Sequence, residues 1–242
     1  MNSEPLAARS SAAEQHSERV APIVELAGVS KTFGSGEQTT HALGPLDLAI
    51  EAGSFVSIVG PSGCGKSTLL RLIAGLETPT QGQLRRSGAA LDGPSREVGI
   101  VFQDHVLFPW ASILDNVMLP ADVMGLPRQE ARKRAEWLLE LTGLKDLASH
   151  RPDMLSGGMK QCAAFCRALL ADPTMLLLDE PFAALDALTR EELSLELSRL
   201  WQELRRTALL ITHSIDEAVL LDDRLIVMSR RPGRKIGRAS CR

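Results

Sequence analysis

The hydrophobic positions of this chain follow two patterns. In segments 23–29 and 46–50 apolar and polar residues alternate on either side of glycine turn signals, which predicts an antiparallel β-layer. Later apolar runs are short and continuous, as in strands buried on both faces, and lie at 55–59, 98–102, 175–178, 208–212 and 225–228. Helical patterns separate them at 66–74, 127–141, 157–170, 187–205 and 214–221. This alternation predicts an α/β fold with a mostly parallel sheet.

Three stretches depart from this rhythm. Segment 1–22 is polar with few Leu and Val, so we expect a flexible leader before a single folded domain at 23–235. Segment 104–151 has helical periodicity and no convincing strand, which indicates a helical subdomain inserted at about 104–172. The last residues, 236–242, resemble the translation of a sequencing adapter, so we expect a tail of doubtful origin, which resequencing of the locus would test.

Composition narrows the possible partners. The 242 residues are 44% hydrophobic and 24% charged, as in an ordinary globular protein. The 27 Lys and Arg against 30 Asp and Glu give a net charge of −3, so we expect no nucleic-acid partner. Because the sequence has neither a run of eighteen apolar residues nor the apolar stretch of a secretory signal, we expect a cytoplasmic protein that reaches a membrane only through a partner.

The segment after the strand at 55–59 satisfies the pattern G-x-x-x-x-G-K-[ST] in a strand, loop and helix context. Its glycines let successive backbone N–H groups surround a phosphate, Lys66 would reach the β- and γ-phosphates, and Ser67 would coordinate Mg²⁺. The residues assigned to the nucleotide are Gly60, Pro61, Ser62, Gly63, Cys64, Gly65, Lys66, Ser67 and Thr68. The motif indicates nucleotide binding but does not separate a kinase, a GTPase and a transport ATPase.

Two acidic residues, Asp179 and Glu180, end the apolar run at 175–178. Ligands of open α/β sheets bind at the carboxyl ends of strands, so these carboxylates are expected near the phosphate loop. Asp179 would belong to the Mg²⁺ shell, and Glu180 would polarise the attacking water as general base. The alternative, an acidic pair that only solvates a strand end, is less favoured beside a phosphate loop.

Segment 155–161, Leu-Ser-Gly-Gly-Met-Lys-Gln, adds a third motif. Taken alone, Ser-Gly-Gly is typical of a plain helix cap and turn. With the two motifs above it resembles the signature of the ATP-binding cassette (ABC) family of transporter ATPases, and the likeness runs from about 23 to 234. The resemblance assigns to ATP held by the opposite subunit Ser156, Gly157, Gly158 and Gln161. It also implies a Q-loop residue, Gln103, beside the metal and the water, a D-loop at 184–186 with Asp186, and a switch histidine, His213, at the γ-phosphate.

This resemblance implies a P-loop NTPase core with an antiparallel β-subdomain and an inserted helical subdomain. It also implies ATP and Mg²⁺ as cofactors, with the metal attended by Ser67, Gln103 and Asp179. The expected assembly is a homodimer beneath two membrane-spanning permease subunits at the cytoplasmic face of the inner membrane, fed by a solute-binding protein. Segments 107–110 and 229–234 resemble the nitrate, sulfonate and taurine importer branch.

Two alternatives stay open. One is a soluble ABC protein of DNA repair or translation, although the chain has a single motif set and none of the long insertions typical of that class. The other is a catalytically silent regulatory cassette, which the presence of Glu180 and His213 disfavours.

The chain departs from the family pattern at two places. Cys162 stands where the family usually has Arg; with Cys166 it forms a helical pair that we interpret as buried thiols rather than metal ligands. The chain has no Tyr, so Phe33, expected in a loop, would stack on the adenine, with core packing as the alternative.

The helical insert also carries partner information. The resemblance implies that this region receives a coupling helix of the membrane subunit. Trp110 is the expected anchor, whereas Val106 and Leu107 fit an internal seam of the insert equally well.

Overall fold

The computed structural model describes residues 22–183, 185–221 and 223–240. At their centre lies a six-stranded sheet with the spatial order β10-β9-β3-β8-β7-β6. Its strands are β3 (Phe55–Val59), β6 (Val98–Val101), β7 (Met175–Asp179), β8 (Thr207–Thr212), β9 (Arg224–Met228) and β10 (Lys235–Ser240). All neighbours pair in parallel except β10, which is antiparallel to β9. The prediction of a mostly parallel α/β sheet is confirmed.

The register of the parallel strands brings their carboxyl ends to one level. Val59 of β3 pairs with Thr212 of β8, and Asp179 of β7 pairs with Ile211 of β8. Strands β3 and β8 are buried along their whole lengths, which explains why their sequences are apolar runs without alternation. The segments that follow these three strands therefore begin side by side.

A second, antiparallel sheet has the order β2-β1-β4-β5. Its strands are β1 (Pro22–Phe33), β2 (Thr40–Glu51), β4 (Gln81–Arg86) and β5 (Ala89–Ala90). The predicted β-layer is confirmed, but β4 and β5 were not predicted, because only Leu84 of the six β4 residues is buried. The expected loop position of Phe33 is wrong: Phe33 ends β1 and pairs with Thr40.

The helices lie between the strands, as the alternation predicts. They are α1 (Lys66–Ala74), α2 (Ile113–Met124), α3 (Arg128–Leu141), α4 (Gly157–Leu169), α5 (Ala187–Leu204) and α6 (Ile215–Leu221). Helices α2 to α4 follow β6 and precede β7, where sequence predicts a helical insert. Their apolar residues pack in one cluster with Leu178 of β7 and with Phe182.

The structure describes only part of the predicted leader and of the predicted tail. The predicted leader, apart from Pro22, and residues 241–242 of the predicted tail lie outside the described residues. The rest of that tail falls in β10, which adds an edge strand beside β9. Among the described helices, none combines the length and the apolar character needed to cross a bilayer.

Candidate active site

The phosphate loop lies between β3 and α1, as the motif predicts. Gly63 and Gly65 have positive φ angles of 73° and 101°, a conformation that glycine adopts without steric cost. A Cβ atom on Gly65 would lie only 2.5 Å from the Ala42 carbonyl oxygen, so this position has no room for a side chain. The Cys64 N–H donates to the Pro61 carbonyl at 3.2 Å and closes the turn. This compact loop directly precedes the positive end of the α1 dipole, a combination that favours anions.

Lys66, the first residue of α1, is only 4% exposed. Its Nζ donates to the carbonyl oxygens of Gly60 at 2.9 Å and Pro61 at 3.3 Å. The same Nζ lies 3.6 Å from Glu180 Oε1. The ammonium group is therefore held inside the phosphate loop with the predicted base beside it.

Ser67 and Asp179 form a second polar pair at this edge of the sheet. The Ser67 hydroxyl donates to Asp179 Oδ1 at 3.0 Å. Burial raises the pKa of the Asp179 carboxyl; the Ser67 hydrogen bond opposes this rise, and the negative charge of Glu180 adds to it. A partly buried carboxylate next to a hydroxyl is a hard oxygen set that fits Mg²⁺, which takes few protein ligands and completes its shell with phosphate and water.

Glu180 joins the ends of the neighbouring strands. Its N–H donates to the Ile211 carbonyl at 2.8 Å, and its φ of 47° is unusual for a residue with a side chain. Its Oε2 lies 3.4 Å from His213 Nδ1, while Oε1 faces Lys66. The structure thus brings together Lys66, Ser67, Asp179, Glu180 and His213, which are far apart in sequence.

The loop that carries His213 is fixed by residues that sequence reasoning missed. The Thr212 hydroxyl donates to Glu217 Oε2 at 2.5 Å, and the Ser214 N–H donates to Thr212 Oγ1 at 3.0 Å. Arg190 Nε lies 3.5 Å from Glu217 Oε1, and Arg190 also donates to the Leu185 carbonyl at 2.8 Å. These contacts connect the His213 loop to the segment before Asp186. In the sequence, the only sign of these contacts is that charged residues, Arg190 and Glu217, occur near Asp186 and near His213.

Other predicted site residues lie outside this cluster. Gln103 follows β6 and is exposed, with no hydrogen bond to Asp179 or Glu180 in the described part of the chain. Ser156 caps α4 by accepting the Met159 N–H at 3.3 Å, and both Ser156 and Gly157 are exposed. Asp186 caps α5 by accepting the Thr189 N–H at 3.1 Å. Ala184, part of the predicted D-loop, lies outside the described residues.

Gln161 differs from its expected place. Its side chain is 0% exposed, and neither amide atom has a hydrogen-bond partner among the described residues. A fully buried amide cannot touch a nucleotide in this arrangement, so the assignment of Gln161 to the nucleotide site does not hold here. The motif position alone could not show this, because the burial arises from the packing of α4.

Cys162 and Cys166 are both buried, as expected. Cys162 Sγ lies 3.8 Å from Glu196 Oε2, and Cys166 Sγ lies 3.3 Å from Thr142 Oγ1. Burial raises the pKa of both thiols, which keeps them protonated at neutral pH. At position 162, where the family usually has Arg, the Cys162 thiol therefore faces the Glu196 carboxylate.

The sequence profile of the family described as "ABC transporter" matches residues 43–183. A taurine import ATP-binding protein of Pseudomonas aeruginosa is 45% identical over 210 residues, which cover 87% of this chain and 80% of that protein. The chain belongs to the ABC transporter family. An aliphatic sulfonates import ATP-binding protein of Bacillus licheniformis is 43% identical over 84% of this chain and 79% of its own length. A bicarbonate transport ATP-binding protein of Synechococcus elongatus is 45% identical over 89% of this chain but only 33% of that longer protein.

The solved structures agree with this assignment. An ATP-binding cassette solved as a dimer in a post-hydrolysis state, bound to ADP and Pi, has a TM-score of 0.78 and 35% identity. That match covers 90% of this chain and 99% of the other chain. The predicted P-loop NTPase core with its antiparallel sheet is confirmed. The likeness to the nitrate, sulfonate and taurine branch is also confirmed, by relatives named for taurine and sulfonate import.

Proposed function

We propose that this chain is the Mg²⁺-dependent ATPase subunit of an importer for anions of the nitrate, sulfonate and taurine type. The observation that carries the proposal is the position of Glu180, between Lys66 of the phosphate loop and His213, next to the Ser67 and Asp179 pair. Phosphate release from ATP by the purified chain, with and without Mg²⁺, tests the activity. A chain that binds ATP without releasing phosphate would instead be a silent regulatory cassette.

Each residue has a distinct task in this mechanism. The loop N–H groups and Lys66 hold the triphosphate, and the ring of Phe33, 37% exposed, would stack on the adenine. Ser67, Asp179 and Gln103 would hold Mg²⁺, which neutralises phosphate charge when bound. Glu180 orients the attacking water and accepts its proton, and the water oxygen bonds to the γ-phosphorus as the bond from that phosphorus to the bridging oxygen breaks. ADP and inorganic phosphate then leave. His213 steadies Glu180 and contacts the γ-phosphate.

The proposed working form is a homodimer that holds ATP between two copies. In one copy the phosphate loop binds ATP, and in the other Ser156 and Gly157 at the exposed start of α4 meet the γ-phosphate. Asp186 lies at the start of α5 and would face His213 across the dimer. The dimeric relative bound to ADP and Pi supports this arrangement. The assembly would sit on permease subunits at the cytoplasmic face of the inner membrane, with a solute-binding protein supplying the solute.

Asp179 provides a test of the metal site that does not depend on turnover. The folded protein binds a proton at Asp179 more tightly than the unfolded chain does, because the native pKa is raised. The ionised carboxylate therefore lowers the free energy of unfolding at neutral pH, and this cost disappears as the pH falls through the raised pKa. Asp179→Asn should therefore raise the Tm of the nucleotide-free protein, as measured by thermal unfolding.

The same variant should lose the further rise in Tm that Mg²⁺ adds to ATP in the wild type, as measured by thermal unfolding. Asp153→Asn, a change at an exposed acid, is the matched control and should leave both values unchanged. A lower Tm for the nucleotide-free Asp179→Asn protein, or an undiminished Mg²⁺ effect, would contradict the assignment of Asp179.

Trp110 is the proposed anchor for the membrane subunit. Its side chain is 70% exposed and stacks on Phe108, with ring centroids 5.0 Å apart. Asn116 fixes the Phe108 backbone by accepting its N–H at 2.6 Å and donating to its carbonyl at 3.1 Å. Val106 is also exposed, whereas Leu107 packs against the helical core. A large aromatic side chain that is exposed to solvent and fixed in position is typical of an interface anchor.

Trp110→Ala should therefore leave the ATPase rate of the isolated chain within about twofold and weaken co-purification with the permease about tenfold or more. Trp137→Ala, which removes another partly exposed indole, is the control and should keep the complex intact. Normal permease binding by Trp110→Ala would exclude this residue as the anchor.

A further inference from the structure

Two segments that the proposed function leaves unused enclose the outer side of the phosphate loop. One is 42–44 in β2, and the other is 229–234, the connection between β9 and β10; together we term them the clasp. The Gly44 N–H donates to the Gly233 carbonyl at 2.9 Å, and Leu43 forms a β-bridge with Gly233. The clasp therefore joins the antiparallel sheet to the end of the central sheet at the nucleotide site.

The clasp touches the phosphate loop backbone to backbone. A Cβ atom on Gly233 would lie 2.0 Å from the Cys64 carbonyl oxygen. Such close approach is possible only for glycine. The loop that is expected to surround phosphate is thus shaped from outside as well as by its own turn.

Arg231 adds a directed hydrogen bond to this packing. Its Nε donates to the Gly63 carbonyl oxygen at 3.0 Å. The same peptide unit carries the Cys64 N–H on its opposite side, because a trans peptide places the two groups in opposite directions in one rigid plane. Fixing the Gly63 carbonyl therefore also helps to hold the Cys64 N–H on the Pro61 carbonyl, the hydrogen bond that closes the turn.

The hydrogen bond from Arg231 matters because Gly63 is a conformationally free position of the phosphate loop. Its positive φ of 73° is one of many conformations that glycine can adopt, so the orientation of the peptide unit after it depends on two hydrogen bonds, from Arg231 to the Gly63 carbonyl and from the Cys64 N–H to the Pro61 carbonyl. A loop that samples several orientations binds less tightly, because only the competent fraction accepts the ligand. A hydrogen bond from outside the loop would raise that fraction before the nucleotide arrives.

We propose that Arg231 is a positioning residue for the phosphate loop. Its Nε–H holds the Gly63 carbonyl toward the clasp and so stabilises the turn that the Cys64 N–H closes on the Pro61 carbonyl, which keeps the loop in the shape that surrounds a phosphate. Arg231 acts through the Gly63 peptide and needs no contact with the nucleotide. This inference rests on the proposed nucleotide site and adds a residue that the six family motifs do not include.

The side-chain chemistry offers a matched test of this role. Gln carries its amide nitrogen the same number of bonds from the backbone as Arg carries Nε, so Arg231→Gln keeps a donor and removes the charge. Arg231→Met has a similar reach and no donor. Arg230→Met is the control, since the Arg230 side chain is exposed and makes no hydrogen bond or ion pair within 22–183, 185–221 and 223–240.

Calorimetric titration of the purified full chain with ADP measures the effect without turnover. We expect Arg231→Met to raise the Kd for ADP about tenfold, while Arg231→Gln stays within about threefold of the wild type and Arg230→Met is unchanged. With ATP, Arg231→Met should raise KM by a similar factor and leave kcat within about twofold, as expected for lost uniform binding. Amide hydrogen exchange at 60–66 should be faster in Arg231→Met before nucleotide is added.

The outcomes separate this inference from the function on which it rests. A wild-type chain that does not bind ADP would contradict the proposed function itself. A wild-type chain that binds ADP while Arg231→Met binds equally well would overturn the role of Arg231. Equal weakening by Gln and Met would also overturn it, because the charge rather than the hydrogen bond would then matter.

Discussion

Glu180→Gln is expected to lower ATP hydrolysis by about 10²–10⁴, the usual effect of losing a general base. Glutamine keeps the shape of the side chain and can still face His213 and Lys66, but it cannot take the proton of the attacking water. Phosphate release from ATP and Mg²⁺, measured with the purified chain, gives the rate. ATP binding should persist, because the phosphate loop and Lys66 are unchanged.

Glu130→Gln, a change at an exposed acid in the first turn of α3, is the matched control and should hydrolyse ATP at the wild-type rate. If Glu180→Gln hydrolyses ATP as fast as the wild type, Glu180 is not the base. The contacts of Glu180 with Lys66 and His213 would then only order the ends of β7 and β8.

Ser156→Arg should have the second large effect, a loss of phosphate release of at least about 10², because the new side chain fills the space where the γ-phosphate of the other subunit must lie. Binding of ADP to the single chain should stay within about twofold, since Ser156 belongs to the exposed start of α4 and not to the phosphate loop. Activity and calorimetric titration measure the two effects separately.

Ser156→Ala distinguishes the helix cap from the dimer site. It removes the acceptor for the Met159 N–H, which costs about 0.5–2 kcal/mol of stability, but adds no bulk. We expect this variant to keep much more activity than Ser156→Arg. Equal loss in both variants, together with a lowered Tm, would assign Ser156 to the cap alone.

The site residues that sequence could predict are those within local motifs. Lys66 and Ser67 come after β3, Asp179 ends β7 and Glu180 follows it. The parallel register of β3, β8 and β7 brings the ends of these strands to one level. A short pattern was enough because chain direction and sheet order decide the rest. His213 was predicted only through the family resemblance, which places a histidine after β8.

The residues that sequence missed depend on contacts between distant segments. Arg231 meets Gly63 only because the connection after β9 folds back over the phosphate loop. Gln161 was placed by its motif, yet the packing of α4 buries it completely. Strand β4 has no alternating pattern, since it is buried only at Leu84 and depends on its pairing with β1. In each case tertiary packing determines where the residue or strand lies, and a local sequence pattern contains no information about that packing.

In the proposed working form, ATP joins two copies of this chain through the phosphate loop of one and Ser156 of the other. Glu180→Gln should trap that state, because it keeps ATP intact and removes a negative charge near each γ-phosphate. Light scattering during size-exclusion chromatography measures the mass directly. We expect Glu180→Gln to have the mass of two chains with ATP and of one chain without it, and the double variant with Ser156→Arg to stay at one chain throughout. A Glu180→Gln protein that binds ATP but keeps the mass of one chain would contradict the ATP-bound dimer.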